Sequence, residues 1–281
     1  MNRWAIGGRP SGTSARNPNA LPTPIRPSKA WLYSTENSEE TSILLRFSSG
    51  VGFSAGYFSV HSRMRRLPAI DRFAFERELL QQGVTLLAGV DEAGRGPLAG
   101  PVVAAAAMLP VRWLESGLPP ALEGLNDSKQ LTPRQRDRFF DALISCGEVT
   151  FAIARVEAEQ VDEFNILQAT HRAMNEALSS LLPVPQHALV DGTRVKTLRF
   201  PQTPIIKGDA RSYSIAAASV FAKVTRDRLM EEYHERWPAY GFAEHKGYGT
   251  PQHLAALDEY GPCPIHRRSF APLKQPEAEL F

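Results

Sequence analysis

The sequence LLAGVDEAGRGPLAGPVV, residues 86–103, joins a buried-strand pattern to two acids and a glycine-rich turn. Its apolar run, residues 86–90, is short and is soon interrupted by glycines and Pro97, which favours a strand over a helix. The run ends at Asp91 and Glu92, so the pattern predicts two carboxylates at the end of a strand. Because neighbouring strand residues point to opposite faces, these carboxylates converge on one site only if the pleat breaks between or just after them.

The glycines that follow the acids allow more than one interpretation. Gly94 and Gly96 make a break in the strand inexpensive and let backbone N–H groups approach a ligand, while Arg95 between them is suited to a phosphate. The spacing Gly94-x-Gly96-x-x-Ala99 also fits a loose dinucleotide-binding fingerprint. That fingerprint needs a helix after it, which Pro97 interrupts. The third interpretation is a glycine-rich turn with a solvated acidic pair.

The charge of the chain is nearly balanced. Its 281 residues carry a formal net charge of +2. Residues 1–63 hold seven Lys or Arg and three Asp or Glu, a net +4, which leaves −2 for residues 64–281. So small a charge does not identify a nucleic-acid-binding protein, and any basic groove must come from the arrangement of charges rather than from their excess.

Residues 1–63 differ in composition from the rest of the chain. They contain eleven Ser, six Gly and five Pro, without a sustained helical or strand period. This composition predicts a disordered N-terminal extension, followed by one domain over residues 64–281. The extension is basic and free of acids up to Glu36, as organelle transit peptides are, but it lacks a clear amphipathic pattern. The interpretation we adopt is a mis-assigned start, with Met64 as the true initiator.

Targeting and disulfide signals are weak throughout. No apolar run reaches transmembrane length, and no compact secretory signal is evident. Cys146 and Cys263 are far apart and form neither a disulfide framework nor a metal pair, which suits a reducing compartment. We therefore expect a cytoplasmic monomer that does not associate with membranes.

Beyond the opening stretch, the pattern predicts alternating helices and strands. The expected strands are residues 86–90, 102–109, 149–156, 189–190 and 204–206, and the expected helices are residues 72–82, 134–144, 157–162, 166–182, 214–237 and 252–260. The second strand follows the glycine turn directly and is expected to form a hairpin with the first. Thr132 and Pro133 are typical of an N-cap and a first helical position. Lys223, Arg226 and Arg228 are expected to form a solvated helix face, with a groove lining as the alternative.

Two further acids repeat the pattern seen at Asp91. Asp191 and Asp209 each follow a short apolar run and adjoin a glycine. Asp209 has a simpler explanation as a helix N-cap. Three strand ends that each present a carboxylate nevertheless favour a shared acidic site.

Two loop residues are not explained by local structure. Lys129 precedes the helix start at Thr132, and it is either solvated or in contact with a phosphate. Tyr248 lies between Gly247 and Gly249, where its neighbours provide no side-chain cover for an aromatic ring.

Taken in order, these motifs closely resemble bacterial ribonuclease HII over the chain from Leu86 to about Pro272. The matching motifs are Asp91-Glu92-Ala93-Gly94-Arg95-Gly96-Pro97, Asp127-Ser128-Lys129, Asp191-Gly192, Lys207-Gly208-Asp209, His245-Lys246-Gly247-Tyr248 and His266-Arg267-Arg268-Ser269-Phe270. The resemblance implies an α/β fold of the ribonuclease H-like type, in which a mixed sheet is flanked by helices and followed by a C-terminal helical extension. Residues 1–63 lie outside the resemblance.

The resemblance also implies two divalent ions, Mg²⁺ or Mn²⁺, held by Asp91, Glu92, Asp191 and Asp209. In this family pattern Asp91 is shared by both ions and Asp209 lies on the nucleophile side. Glu92 and Asp191 lie on the leaving-group side. Carboxylate oxygens suit hard cations, and a metal pair can activate the attacking water and stabilise the leaving oxygen. Because the carboxylates repel one another, metal binding is expected to stabilise the fold.

The implied substrates are RNA–DNA hybrids and duplex DNA that contains single ribonucleotides. Cleavage on the 5′ side of the ribonucleotide would leave 3′-hydroxyl and 5′-phosphate ends, as ribonucleotide excision repair requires. Such an enzyme must detect the 2′-hydroxyl, which distinguishes the two sugars. The residues implied to bind the substrate are Gly94, Arg95, Gly96, Lys129, Lys246 and Tyr248. The backbone of residues 94–96 and Tyr248 would sense the sugar, and the three basic side chains would hold phosphates.

Two other functions remain as alternatives. A binding module with this fold but without catalysis is disfavoured because all four carboxylates are present. A nicotinamide-dependent oxidoreductase would need a helix after Gly96, and titration with a nicotinamide cofactor would distinguish it.

Overall fold

The structure, a computed structural model, describes residues 71–274 and is organised around one five-stranded sheet. The strands are β1 (Leu87–Ala93), β2 (Val102–Met108), β3 (Thr150–Val156), β4 (His187–Asp191) and β5 (Gln202–Ile205), in the order β3-β2-β1-β4-β5. The helices are α1 (Ala74–Gln81), α2 (Trp113–Ser116), α3 (Pro133–Ser145), α4 (Ala158–Ser179), α5 (Tyr213–Arg236), α6 (Phe242–His245) and α7 (Pro251–Tyr260). The predicted extension over residues 1–63 lies outside the described residues.

Strand β1 joins the antiparallel and parallel halves of the sheet. It pairs antiparallel with β2 and parallel with β4, which confirms the predicted hairpin and the mixed sheet. The prediction that the strand ends at its acids is wrong. β1 continues through Asp91 and Glu92, because its ladder with β2 persists until Ala93 pairs with Val103.

Helices α5 and α4 cover opposite faces of the sheet. α5 crosses β1 so closely that a Cβ atom on Gly89 would collide with the backbone of Ser214, which explains a glycine inside a buried strand. Small α5 residues such as Ala217 pack with Phe139 of α3 in one apolar cluster. On the other face, Leu178 of α4 lies fully buried in a second cluster beneath the sheet.

Local signals explain where the helices begin and break. The side chain of Thr132 accepts a hydrogen bond from the Gln135 N–H at 3.3 Å and caps α3, as predicted. The two helices predicted after β3 form one element, but the backbone of Asn165 (φ 66°, ψ 159°) is non-helical and marks the predicted break. Ser212 caps α5, so the N-cap interpretation of Asp209 is wrong, and Asp209 lies in a separate single turn before the helix.

The C-terminal part of the chain forms the predicted helical extension. α6, α7 and the adjoining loops enclose an apolar cluster that includes Phe242, Leu257 and Ile265, together with Met230 of α5. An isolated β-bridge pairs His266 with a residue of the loop after β1 and so brings the extension against the glycine-rich turn. No helix within residues 71–274 combines the length and the hydrophobicity needed to cross a membrane.

Candidate active site

Three of the predicted carboxylates meet at one edge of the sheet. Asp91, Asp191 and Asp209 each offer an oxygen atom, and these atoms lie within 4.8 Å of one another. The parallel register that sets Val90 beside Val190 makes Asp91 and Asp191 neighbours on adjacent strands. Neighbouring positions in register share a face, so both carboxylates lie on the side covered by α5. We refer to these three side chains as the aspartate cluster.

Glu92 is not one of the three clustered carboxylates, although its charge contributes to raising the pKa of Asp91. Because β1 remains a regular strand through Glu92, this side chain points to the opposite face, toward α4. Its carboxylate pairs with Arg95, with Oε1 3.2 Å from Nη1. The pleat break that would bring Asp91 and Glu92 together does not occur within the strand.

Hydrogen bonds from the main chain hold the aspartate cluster in place. Asp191 Oδ1 accepts from the Gly208 N–H at 2.7 Å, which connects the end of β4 to the turn that carries Asp209. Asp91 Oδ1 accepts from the Glu92 N–H at 2.7 Å. Asp91 and Asp209 are 3% and 4% exposed, so two acids are buried with few donors around them. Such an arrangement is costly while all three groups are ionised.

The pKa values reflect that cost. Burial, followed by the charges of Glu92 and Asp191, raises the pKa of Asp91 well above its usual value. Burial and the charge of Asp191 raise the pKa of Asp209 to about 6. Burial opposes the charge on Lys129, but the nearby carboxylates outweigh it and raise the pKa of this lysine. The aspartate cluster therefore attracts positive charge.

Repulsion within the aspartate cluster predicts an unusual stability effect. In EDTA at pH 8, we expect Asp209→Asn to raise the melting temperature by at least about 2 °C, since it removes one buried charge. The folded-state pKa of Asp209 lies above its unfolded value near 3.8, so ionisation destabilises the fold above about pH 6. The advantage of the variant should decline as the pH falls from 6 toward 4. Thermal melts of both proteins across this range test the prediction, and a lower melting temperature for the variant at pH 8 would contradict it.

A cavity of about 300 Å³ opens beside the aspartate cluster. It brings together six residues that the sequence singled out for substrate binding or catalysis, namely Glu92, Gly94, Arg95, Gly96, Lys129 and Tyr248. A Cβ atom on Gly96 would lie 3.5 Å from Cε1 of Tyr248, so the glycine turn and the tyrosine ring are adjacent. The Tyr248 side chain is 48% exposed although its main chain is hydrogen-bonded on both sides. We refer to this space as the substrate cavity.

Lys246 is placed differently from the other predicted substrate contacts. It lines a neighbouring groove of about 800 Å³ between α3, α5 and α6 rather than the substrate cavity. Its Nζ lies 2.7 Å from Oε1 of Glu231. Its backbone adopts a left-handed conformation (φ 50°), which turns the chain into Gly247 and Tyr248.

Several residues of the substrate cavity were missed or misjudged from the sequence. Ser128 and Ser219 line it, and their hydroxyl oxygens lie 2.8 Å apart. Lys223 also lines it, which favours the groove alternative for that residue. The expectation of a solvated face is wrong for Arg226, which is 1% exposed. The motif Asp127-Ser128-Lys129 signalled Ser128, whereas no local pattern marked Arg226.

The donor set fits a hard divalent cation. Three carboxylates supply only oxygen ligands, which Mg²⁺ and Mn²⁺ prefer. Burial and, after it, neighbouring carboxylates raise the pKa values of Asp91 and Asp209, so ionising these groups is unfavourable without a counter-ion. A bound cation would relieve that repulsion.

Comparison with known proteins agrees with the resemblance in the motifs. Residues 88–273 match the sequence profile of the family described as Ribonuclease HII. Ribonuclease HII of Ruminiclostridium cellulolyticum is 52% identical over 211 residues, which cover 75% of this chain and 79% of the relative. Ribonuclease HII of Geobacillus kaustophilus is 54% identical over 201 residues, which cover 72% of this chain and 74% of the relative.

Solved structures show the same architecture. The crystal structure of the ribonuclease H2 from Pyrococcus horikoshii is 33% identical, with a TM-score of 0.55 over 66% of this chain and 94% of that chain. The structure of Bst-RNase HIII in complex with Mn²⁺ is 19% identical, with a TM-score of 0.50 over 67% of this chain and 68% of that chain. At that identity the second comparison concerns the fold alone.

The mixed sheet, its flanking helices and the aspartate cluster define a hydrolase with a ribonuclease H-like fold. The chain belongs to the ribonuclease HII family. It is therefore a ribonuclease H, which hydrolyses the RNA strand of RNA–DNA hybrids with the help of divalent metal ions.

Proposed function

We propose that this enzyme also incises duplex DNA on the 5′ side of a single embedded ribonucleotide and leaves 3′-hydroxyl and 5′-phosphate ends. The observation that carries the proposal is the substrate cavity, in which the glycine turn and Tyr248 lie side by side next to the aspartate cluster. A site that senses one sugar beside one set of metal ligands does not need a continuous RNA strand. The corresponding role is ribonucleotide excision repair.

Two divalent ions, Mg²⁺ or Mn²⁺, are proposed as cofactors. When bound, they would supply Lewis acidity for activating water and stabilising the leaving oxygen. Asp91 would contact both ions and Asp209 the one on the nucleophile side, with Asp191 and Glu92 on the leaving-group side. Glu92 faces α4 and pairs with Arg95, so this assignment requires the Glu92 side chain to exchange Arg95 for a metal.

The protein's own residues would position the substrate. Arg95 and Lys129 border the substrate cavity and can each bind a phosphate, which fixes the register without reading the sequence. Lys246 would contact the backbone farther along the neighbouring groove. The backbone N–H groups of residues 94–96 and the Tyr248 ring would contact the sugar that carries the 2′-hydroxyl.

A labelled duplex with one ribonucleotide tests the proposal. We expect a single cut in Mg²⁺ and no cut in EDTA, and a matched all-DNA duplex should remain intact. A continuous RNA–DNA hybrid serves as the positive control. Cleavage of the hybrid without cleavage of the single-ribonucleotide duplex would contradict the proposal.

The domain organisation is a second proposal. We propose that residues 64–281 form the catalytic domain, because the family match covers residues 88–273, and that this domain works as a cytoplasmic monomer.

A chain that starts at Met64 is expected to fold and to retain full activity, since residues 1–63 lie outside the family match. Melting temperature and cleavage of the single-ribonucleotide duplex by the two chain lengths test this expectation. An insoluble or inactive shorter chain would place the domain boundary elsewhere.

A further inference from the structure

Two buried arginines lie directly beneath the glycine turn. Arg267, from the C-terminal extension, is 0% exposed, and Arg226, from α5, is 1% exposed. Within residues 71–274, no carboxylate lies within salt-bridge distance of either guanidinium. Their hydrogen bonds go instead to main-chain carbonyl groups of residues 94–101 and of Lys246. Arg267 therefore acts on the backbone of the proposed sugar-sensing residues 94–96, and Arg226 acts on the backbone that follows them.

Every N–H group of the Arg267 guanidinium donates to a main-chain carbonyl group within residues 94–100. Nη2 donates to the Gly94 carbonyl at 2.6 Å, and Nη1 donates to the Arg95 carbonyl at 3.0 Å. Nη1 also donates to Pro97, and both Nε and Nη2 donate to Gly100. Five hydrogen bonds from one side chain fix the carbonyl directions of a segment that has no regular secondary structure.

The geometry of the peptide unit then fixes the direction of the N–H groups on the opposite side of the turn. In a trans peptide unit the C=O and the following N–H point in opposite directions. With the carbonyls of Gly94 and Arg95 directed at Arg267, the N–H groups of Arg95 and Gly96 point away from it. Neither N–H has a hydrogen-bond acceptor among residues 71–274. Both belong to residues that line the substrate cavity, so they are available to a ligand there.

Arg226 connects the same turn to Tyr248. It donates to the carbonyls of Ala99 and Pro101 and, through Nη1, to the Lys246 carbonyl at 3.0 Å. The Leu98 N–H donates to the Gly247 carbonyl at 2.8 Å and closes the connection. The turn and the tyrosine are thus held by one buried hydrogen-bond network.

The charge of the pair is also unusual. Burial and the neighbouring Arg226 lower the pKa of Arg267 to about 9, and burial lowers the pKa of Arg226 to about 10. Both remain cationic at neutral pH. Two cations under the turn favour an electronegative group on its far side.

We propose that Arg267, supported by Arg226, is a positioning residue for ribonucleotide recognition: it directs the N–H groups of Arg95 and Gly96 toward the sugar and phosphate at the ribonucleotide. This inference rests on the proposed function. Lysine cannot substitute, because a point charge with three donors does not reproduce a planar fork with five. Arginine is therefore needed at position 267 for the planar arrangement of its five donors rather than for its charge.

The test compares binding of two duplexes in EDTA, one with a single ribonucleotide and one all-DNA, by fluorescence anisotropy. We expect wild-type protein to prefer the ribonucleotide duplex and Arg267→Lys to reduce that preference roughly five- to tenfold, as the loss of one or two hydrogen bonds would. In Mg²⁺, the KM for the ribonucleotide duplex should rise by a similar factor. Leu178→Ala is the control for reduced stability, since it truncates a buried side chain in the cluster between α4 and the sheet. This variant should keep the preference for the ribonucleotide duplex.

The outcomes separate the two proposals. If wild-type protein does not cut the single-ribonucleotide duplex in Mg²⁺, the proposed function fails. If it cuts this duplex but binds both duplexes equally in EDTA, the positioning role fails alone. If wild type discriminates and Arg267→Lys discriminates equally well, the positioning role fails alone. Should Arg267→Lys not fold, amide NMR of the wild-type protein decides: the Arg95 and Gly96 resonances should shift with the ribonucleotide duplex beyond any shift with the all-DNA duplex. Equal shifts would overturn the inference.

Discussion

Asp91→Asn is expected to reduce cleavage of a single-ribonucleotide duplex by more than about 100-fold while leaving duplex binding nearly unchanged. Asp91 is one of the three carboxylates of the aspartate cluster and is almost fully buried, so the substitution removes a proposed ligand oxygen from the site. Outer-shell partners of metal ligands are worth about 10–100-fold in metal affinity or activity, and a direct ligand should be worth more. The contacts proposed to bind phosphates lie on Arg95 and Lys129, which the substitution leaves intact.

The fold should tolerate this change. Asparagine has nearly the same shape as aspartate. It removes a carboxyl group whose pKa is raised by burial and by like-charged neighbours. The control is Asp258→Asn, an exposed position on α7 away from the site. Single-turnover rates with saturating Mg²⁺ and anisotropy in EDTA give the two readouts. Near-wild-type turnover in Asp91→Asn would contradict the role of the aspartate cluster.

Tyr248→Ala is expected to damage cleavage at a single ribonucleotide more than cleavage of a continuous hybrid. The ring is half-exposed at the margin of the substrate cavity, whereas its main chain is fixed by His245, Thr250 and His253. A nucleotide sugar can cover such a ring. In a continuous hybrid, neighbouring 2′-hydroxyls offer other registers, which should soften the effect.

Tyr248→Phe separates the two contributions of the side chain. It keeps the packing surface and removes one hydrogen bond, worth about 0.5–1.5 kcal/mol, or roughly 2- to 12-fold in kcat/KM. Tyr248→Ala removes both and should cost more. Tyr260→Ala, at another exposed tyrosine on α7, is the matched control. A structural role for Tyr248 would instead lower the melting temperature and depress both substrates equally, and that result would contradict sugar recognition.

Much of the fold was predictable because its signals are local. The glycine turn predicted the hairpin of β1 with β2, and Thr132 with Pro133 predicted the start of α3. The aspartate cluster followed from acids after short apolar runs, since the ends of parallel strands meet at one edge of a sheet. The break at Asn165 falls between the two helices predicted over residues 157–162 and 166–182.

The errors concern contacts between distant parts of the chain. Arg226 resembles a solvated helix residue, but the turn after β1 and the C-terminal extension cover it. Asp91 and Glu92 could converge only if the pleat broke near them, but the ladder with β2 keeps the strand regular past both acids and separates their faces. Ser212 replaced Asp209 as the cap of α5, because an extra turn intervenes. Periodicity carries no information about such covering segments or ladder lengths.

Mapping the cut at nucleotide resolution in a duplex with one ribonucleotide is the decisive test of the proposed incision. The experiment compares wild-type protein and Asp91→Asn in Mg²⁺, with wild type in EDTA as the metal-free reference, and identifies the end groups of the products. We expect one cut immediately 5′ of the ribonucleotide, with 3′-hydroxyl and 5′-phosphate ends, only for wild type with metal. A cut on the 3′ side, a cyclic phosphate end or cleavage in EDTA would contradict it.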